Sequence, residues 1–383
     1  MIRLGSKEMR SNTSPPLTRS QTYPLERIPL EMKEEILMKL KGKYISKFIS
    51  VSKSWSSIVR SKRFTKLYLN RSLAQPRILL IDRGDREKQL FHSFSQEDPS
   101  SDHHTVSCNR YDFSPPVCGL ICGLNDHNLV MIGNPSTSQF ITLPRVISVR
   151  KDISCFLGYD PVNGEYKVLC MMIPRGYHHL RRTSSRAVAY SQEHQVFTIG
   201  ATSKRWRNIE CKHIHYTRRR SQGICSNGVV YYLAWINVVR SLICFDVRSE
   251  KFSVVKLPGV VQLLSNYGET IAVTNSLTDA TLDLWVLEDA SRQEWSKVSV
   301  VIPSWNDSFR WSQAAFRFRG TLGTGELVFA PIFVTDPYFL LCYNPKESKV
   351  RKINIEGIGS QFTSRHVYLN HVESPMFLEP VHH

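Results

Sequence analysis

Between residues 76 and 355 of this 383-residue chain, a turn residue is followed six positions later by a large apolar one, several times over. The pairs are Asn134 and Phe140, Asp160 and Tyr166, Gly200 and Trp206, Asp246 and Phe252, and Asn344 and Val350, while Glu288 and Trp295 repeat the pattern with one residue added. Each reads as strand, polar turn, strand, because Asn, Asp and Gly accept turn backbone that other residues resist. The flanking runs are short and apolar, as in Ile78 to Ile81, Leu129 to Ile132, Tyr166 to Leu169, Val229 to Trp235 and Leu327 to Ala330. Leu143-Pro144, Leu257-Pro258 and Ile302-Pro303 close three of the units with the same stop. A recurring hairpin with no long amphipathic helix beside it confines this region to an all-β domain. A β-sandwich is the rival, yet about 300 residues is long for one sandwich and suits six or seven radial sheets of ~40 to 50 residues. A β-propeller-like fold of six or seven blades is therefore expected, with each sheet buried between its neighbours.

Upstream the period becomes helical. Met32, Ile36, Leu37 and Leu40 share one helix face that must be covered. Pro29 suits the first turn, and Glu31, Glu34 and Glu35 lie toward the positive end of the helix dipole, with Lys39 and Lys41 toward the negative end. Gly42 is expected to stop that helix. Ile45, Phe48 and Ile49 make a second stripe, and Val51, Trp55, Ile58 and Val59 a third. Three short helices make a small all-α module over residues 24–72, after a flexible tail over residues 1–23 that contains Ser14-Pro15-Pro16 and before the all-β domain over residues 76–383. So small a module buries only roughly 60% or less of its unfolded surface, so an apolar face stays exposed and implies a partner.

The chain carries 50 Lys and Arg against 33 Asp and Glu, a formal charge of +17. Residues 1–75 hold 16 basic and 5 acidic residues, or +11, which leaves +6 for the rest. That balance favours acidic partners without choosing among them. Lys53, Arg60, Lys62, Arg63 and Lys66 scatter round the helices instead of lining one face, which weighs against a nucleic-acid reader. Apolar runs stop short of the ~18 to 20 residues needed to cross a bilayer, so no membrane partner is expected. Nine cysteines without a CxxC pair fit a reducing compartment.

Two stretches resemble known families. Leu25-Glu26-Arg27-Ile28-Pro29-Leu30, then Glu35-Ile36-Leu37-Met38-Lys39-Leu40, then Lys47-Phe48-Ile49-Ser50-Val51-Ser52-Lys53-Ser54-Trp55, with Ile58 and Phe64, closely resemble an F-box. The chain departs from that family at Lys41, where a second Leu-Pro is usual, and at Ile49, where Arg is usual. The resemblance implies docking on the Skp-type adaptor of a cullin–RING ubiquitin ligase, with Pro29, Leu30, Ile36, Leu37, Leu40, Ile45, Phe48, Val51 and Trp55 at or just under the adaptor surface. Farther on, the stretch from Gly158 to Leu169, that from Gly223 to Leu233, and that from Phe245 to Phe252 with Leu257-Pro258 resemble the plant F-box-associated domain, a kelch-like family. Together the resemblances imply a substrate-receptor subunit in the nucleus, the cytoplasm or both. Its partners would be the adaptor, through it a cullin, and a client protein.

Catalysis is not expected on this chain. The histidines His103-His104, His178-His179 and His213-x-His215 lack a matching acidic or cysteine set at metal-site spacing, so neither a metal nor another cofactor is expected. Cys118 and Cys122 have no second pair, and no cysteine is marked as a reactive thiolate. The glycines of Gly119 to Gly123 and Gly320 to Gly325 lack the Lys-Ser/Thr of a phosphate loop and read as turns. Basic clusters remain: Arg175, His178, His179, Arg181, Arg182 and Arg186 in one, Lys212, Arg218, Arg219 and Arg220 in another. Arg181, Arg182, Arg218, Arg219 and Arg220 are the candidate contacts to an acidic or phosphorylated client segment, against the plainer reading of solvated loops. A basic propeller that binds RNA or another polyanion independently of any ligase is the alternative, marked by strong salt dependence without adaptor binding.

Overall fold

The computed structural model describes residues 28–83, 88–97, 103–146, 151–174, 193–218, 221–261, 263–275, 280–302, 316–332, 335, 337–355 and 365–380. The expected tail over residues 1–23 lies outside them, as do Pro303, the basic loop from Arg175 to Arg186, and Arg219 and Arg220.

Four helices come first: α1 (Leu30–Lys39), α2 (Gly42–Phe48), α3 (Lys53–Arg60) and α4 (Lys62–Leu73). Pro29 stands just before α1, and its carbonyl accepts the Lys33 N–H at 3.0 Å. Gly42 begins α2 instead of stopping α1, which already ends at Lys39 as Leu40 turns extended. The reason is crowding: a Cβ on Gly42 would meet the Ser136 Cβ at 2.8 Å, so the glycine permits close approach to the β domain. The fourth helix goes beyond the three expected. Its signals are local, since the Ser61 hydroxyl accepts the Phe64 N–H at 3.1 Å and Phe64, Tyr68 and Leu69 recur on one buried face. Leu37, Ile45, Trp55, Ile58, Val59, Phe64 and Tyr68 close one core, with the Phe48 and Trp55 ring centroids 5.0 Å apart.

The rest is a six-bladed propeller, which settles the expected six or seven. The first blade contains β1 (Arg77–Arg83), β2 (Lys88–Ser95) and β3 (His104–Asn109). The second has β4 (Asp112–Phe113), β5 (Ile121–Leu124), β6 (Val130–Asn134) and β7 (Gln139–Thr142). The third has β8 (Lys151–Asp160), β9 (Glu165–Pro174), β10 (His194–Thr198) and β11 (Arg207–Ile209). The fourth has β12 (Gly223–Ser226), β13 (Val229–Ile236), β14 (Val239–Asp246) and β15 (Phe252–Lys256). The fifth has β16 (Leu263–Tyr267), β17 (Thr270–Thr274), β18 (Thr281–Asp289) and β19 (Glu294–Val301). The sixth has β20 (Phe316–Thr321), β21 (Leu327–Pro331), β22 (Phe339–Asn344) and β23 (Lys349–Asn354). Then β24 (Arg365–His371) returns to pair antiparallel with β1, placing Leu80 opposite Val367, and completes the first blade in the order β24-β1-β2-β3. The ring is thus closed by its two ends, which gives the first blade four strands like the other five. First strands of neighbouring blades touch, β8 with β12, β12 with β16, β16 with β20 and β20 with β24, so they ring the axis.

Six apolar clusters fill the six seams. Alternation distributes each strand between two of them: Ile78 and Leu80 pack toward the sixth blade, Leu79 and Ile81 toward the second. Both faces of a blade are buried, which is why the strands read as unbroken apolar runs. In the seam between the third and fourth blades Phe156 stacks on Tyr232 at 4.3 Å.

The sequence repeat belongs to one place in the blade. Asn134, Gly200, Asp246 and Asn344 start the turns between third and fourth strands; only Asp160 starts one between a first and a second strand. An Asx carboxyl or amide oxygen accepts the backbone N–H two residues on in Asn134 with Ser136 (3.0 Å), Asp160 with Val162 (2.9 Å), Asp289 with Ser291 (2.7 Å) and Asn344 with Lys346 (3.0 Å). Four residues after each Asn or Asp turn starter the backbone is left-handed, at Ser138, Gly164, Glu250, Gln293 and Ser348, whereas Gly200 is itself left-handed at φ 77°. The fifth-blade exception is therefore resolved: the turn starts at Asp289, six before Trp295, and the added residue is Glu288, where the pairing shifts by one between Leu287 opposite Trp295 and Asp289 opposite Glu294. Trp206 and Trp295 use their indole N–H in the same way, donating to the carbonyl that ends the preceding blade, Pro144 at 2.7 Å and Lys256 at 3.0 Å.

Candidate functional site

The nine sequence-selected residues of the helical module divide by depth. Leu37, Ile45 and Trp55 are buried, Leu40 and Phe48 are half-buried, and Pro29, Leu30, Ile36 and Val51 are exposed. The α1 face read from periodicity divides too: Leu37 points into the core, whereas Met32 and Ile36 face solvent at 55% and 37% exposure. With Leu30 at 51%, Tyr44 at 44% and Val51 at 50%, they make an apolar series on a module whose own core is already closed. Met32 was assigned a covered face and Tyr44 was missed; nothing in a single helical period says which side the neighbouring helices take.

This module is clasped to the propeller by the segment that follows β24. Glu373 Oε2 accepts the Gly42 N–H at 2.9 Å and lies 3.1 Å from the Tyr68 hydroxyl, which also reaches the Leu40 carbonyl at 2.8 Å. Burial, and then the Glu373 carboxylate, push the Tyr68 phenol well above its ordinary range, so it remains a donor. Arg60 pairs with Glu379 at 2.6 Å and sits 4.5 Å from the Phe377 ring centroid. On the other side the segment is held by the second blade. Asn134 Nδ2 donates to the Ser374 and Met376 carbonyls at 3.1 and 2.8 Å, and Gln139 Oε1 accepts the Leu378 N–H at 3.0 Å. The strap therefore bridges helices and disc.

Of the five arginines, Arg218 is within the described residues, exposed, with its guanidinium 5.2 Å from the Trp235 ring centroid; Arg240 approaches the same ring at 5.2 Å. Tyr216 stacks on Trp235 at 5.5 Å. Val238 and Val239, at the β13–β14 turn, are 90% and 62% exposed.

Titratable clusters occur elsewhere. Asp82 Oδ2 lies 3.8 Å from His92 Nε2, and His92 Nδ1 is 2.9 Å from His103 Nε2, a chain that ties β1, β2 and the start of β3 inside the first blade. His213 is exposed, while its neighbour His215 is buried beside His194 and Cys211; those two residues the sequence reading missed, since His194 is remote in the chain and only the blade brings it there. Burial pushes the thiols of Cys108, Cys118, Cys244 and Cys342 up to about 12 and that of Cys225 to about 11. All nine cysteines are free thiols. Gly119, at φ 86°, forms with Cys118 the turn between the paired residues Val117 and Leu120, as expected of a turn glycine. No helix among the described residues is long and apolar enough to cross a membrane.

The F-box-associated β-propeller domain family matches residues 77–374, and the F-box domain family matches residues 25–67. An F-box/kelch-repeat protein of Arabidopsis thaliana is 46% identical over 387 residues, covering 97% of this chain and 98% of its own length. A putative F-box protein of the same plant is 32% identical over 375 residues, covering 91% and 97%. Among solved structures, TolB from Acinetobacter baumannii superposes with a TM-score of 0.47 at 8% identity, over 77% of this chain and 66% of that one, too loose a likeness to add to the fold described above.

Proposed function

Because the chain belongs to the F-box proteins that carry an F-box-associated β-propeller domain, we propose that it is a substrate-receptor subunit of a Skp-cullin-F-box ubiquitin ligase. The helices hold the adaptor, the propeller holds a client, and the chemistry occurs on another subunit, in the nucleus, the cytoplasm or both. The observation that carries this reading is the exposed series Leu30, Met32, Ile36, Tyr44 and Val51 above a core closed by Leu37, Ile45, Trp55 and Phe64. Side chains of that kind lose nothing in the free module by being covered, and since each is already about half covered, a partner that buries it fully adds roughly half of the ~1.5 to 3 kcal/mol of complete burial. Leu37, Ile45 and Trp55 act from beneath, by fixing the angles at which the exposed residues stand. Proximity is the whole catalytic contribution: a client held beside the charged conjugating enzyme reacts at high effective concentration. The Glu373 clasp supports this role, since a fixed joint keeps the client at one distance from the adaptor. Arg218 beside Trp235 offers a charged, planar contact for an acidic or phosphorylated client segment, with Arg181, Arg182, Arg219 and Arg220 as further candidates on the chain.

The test is recovery of the Skp-type adaptor with the full chain. Changing Pro29→Ala together with Leu30→Ala should lower adaptor affinity by roughly threefold to tenfold per lost contact, with the propeller still folded. Undiminished recovery with the double variant would refute the adaptor face.

A further inference from the structure

Three ligand-bearing side chains meet at the seam between the third and fourth blades, far along the chain from the helical module. His194 opens β10, and Cys211 and His215 stand four residues apart on the crossover from β11 to β12. Their donor atoms all lie within 4.8 Å of one another. Cys211 Sγ is 3.9 Å from His215 Nδ1, and the two imidazole centroids are 5.2 Å apart. Both imidazoles are 1% exposed, and Cys211 is half-buried at the rim.

Zinc holds imidazole nitrogen at ~2.0–2.1 Å and thiolate sulfur at ~2.3 Å, so two ligands on one tetrahedral ion sit roughly 3.3 to 3.8 Å apart. The Cys211–His215 pair already stands at 3.9 Å, and separations up to 4.8 Å close with side-chain shifts of about an ångström. The surroundings fit the same ion. His215 Nε2 lies 2.7 Å from the Tyr232 hydroxyl, the kind of outer contact that fixes a metal-bound imidazole through its second nitrogen and leaves Nδ1 as the ligand. His215 Nδ1 and Cys211 Sγ both approach the His213 carbonyl oxygen, at 2.8 and 3.2 Å. Metal binding displaces the Cys211 thiol proton to solvent and leaves the single ring proton of neutral His215 on Nε2, facing the Tyr232 hydroxyl, while the His213 carbonyl oxygen or a water supplies a fourth ligand. The backbone beside His215 is fixed already, because Tyr216 and Trp235 exchange both backbone hydrogen bonds at 2.9 and 2.8 Å.

We propose that His194, Cys211 and His215 form a structural zinc site that pins the crossover between the third and fourth blades. A single ion clips a long connection in place, and the clipped segment is the one that carries Arg218 to Trp235. The site is independent of the adaptor face: it predicts a metal whether or not an adaptor binds.

The experiment uses the full chain, stripped with a chelator and titrated with Zn2+, with Co2+ as a coloured probe and metal content read by mass spectrometry. One zinc per chain, a thermal midpoint raised by zinc, and a Co2+ spectrum with thiolate charge-transfer intensity are expected. Cys211→Ser, at the half-exposed rim, should abolish that charge-transfer band and the zinc while keeping the β-rich circular dichroism of the wild type; His194→Gln should also lose the zinc. Tyr232→Phe, which removes the outer contact and keeps the ring, should weaken zinc binding by about 10- to 100-fold. A folded wild type that takes up neither zinc nor cobalt would overturn the proposal. So would zinc retained at full occupancy by both Cys211→Ser and His194→Gln, or a marked preference for Cu2+ with no stability gain from zinc.

Discussion

Glu373 accepts the backbone N–H of Gly42 at 2.9 Å, across 331 positions of sequence, and joins the start of α2 to the strap that leaves the last strand of the propeller. The same oxygen lies 3.1 Å from the Tyr68 hydroxyl on α4, so one carboxylate holds two helices to the disc. Replacing Glu373→Ala should therefore loosen the joint and not the blades. Losing charged acceptors at partly buried donors costs about 1 to 3 kcal/mol. Hydrogen exchange should speed up in α2 and α4 and stay unchanged in β8 to β19; equal protection in wild type and Glu373→Ala would argue that Arg60 and Glu379 hold the joint by themselves.

Ile36 and Leu37 are neighbours with opposite duties, the first 37% exposed and the second fully buried. Leu37→Ala should destabilise the helical module by about 2 to 5 kcal/mol through a cavity in its core. Ile36→Ala should leave the module's melting nearly unchanged and weaken adaptor recovery. Parallel loss of stability in the two variants, followed by circular dichroism at rising denaturant, would contradict this division.

A chain ended after Asn354 lacks β24 and the strap, so the first blade loses one strand and β1 presents an open edge. Such an edge is a template for pairing with other chains. Aggregation or a broad, non-cooperative melt is expected on size-exclusion chromatography and calorimetry. A monomeric, sharply melting product would mean that the ring does not depend on closure by its ends.

Acid should destabilise the propeller through His371. Burial, with the Arg77 guanidinium and His104 nearby, pushes this imidazole from 6.5 down to about 3. The unfolded chain takes up a proton below about pH 6.5 that the folded chain refuses until about pH 3. Its contribution is thus fully present above pH 6.5 and is lost as pH falls toward 3, by up to about 1.4 kcal/mol per pH unit. His103, His104 and His215 are shifted down as well, for burial first, and add slopes of the same sign. Thermal midpoints at about pH 7.5 and about pH 5 should differ less in His371→Gln than in wild type; an identical difference would remove His371 from the account.

What the sequence by itself determined is whatever adjacent residues settle among themselves. The Asp246-to-Phe252 pattern becomes a hairpin because a short polar side chain bonds its own backbone, a left-handed residue follows at Glu250, and the chain has then reversed. The apolar runs became strands buried on both faces, and the F-box and propeller families were legible in Pro29, Trp55 and the Gly158-to-Leu169 stretch. Even the misread turn at Glu288 failed only by one position, since Asp289 carries the same signal. The tertiary structure decided the rest. Six blades became definite once β24 paired with β1, a contact between opposite ends of the domain that no local preference records. The orientation of Met32 and Ile36 depended on which side of α1 the other helices occupy, which a single period leaves undetermined. Glu373 reached Gly42 only because ring closure brings remote backbone to one place, and His194 reached Cys211 through the pairing of β10 with β11, which sets it opposite Ile209. Local hydrogen bonding and steric preference are written within a few residues; contacts that depend on closing a ring are properties of the whole chain.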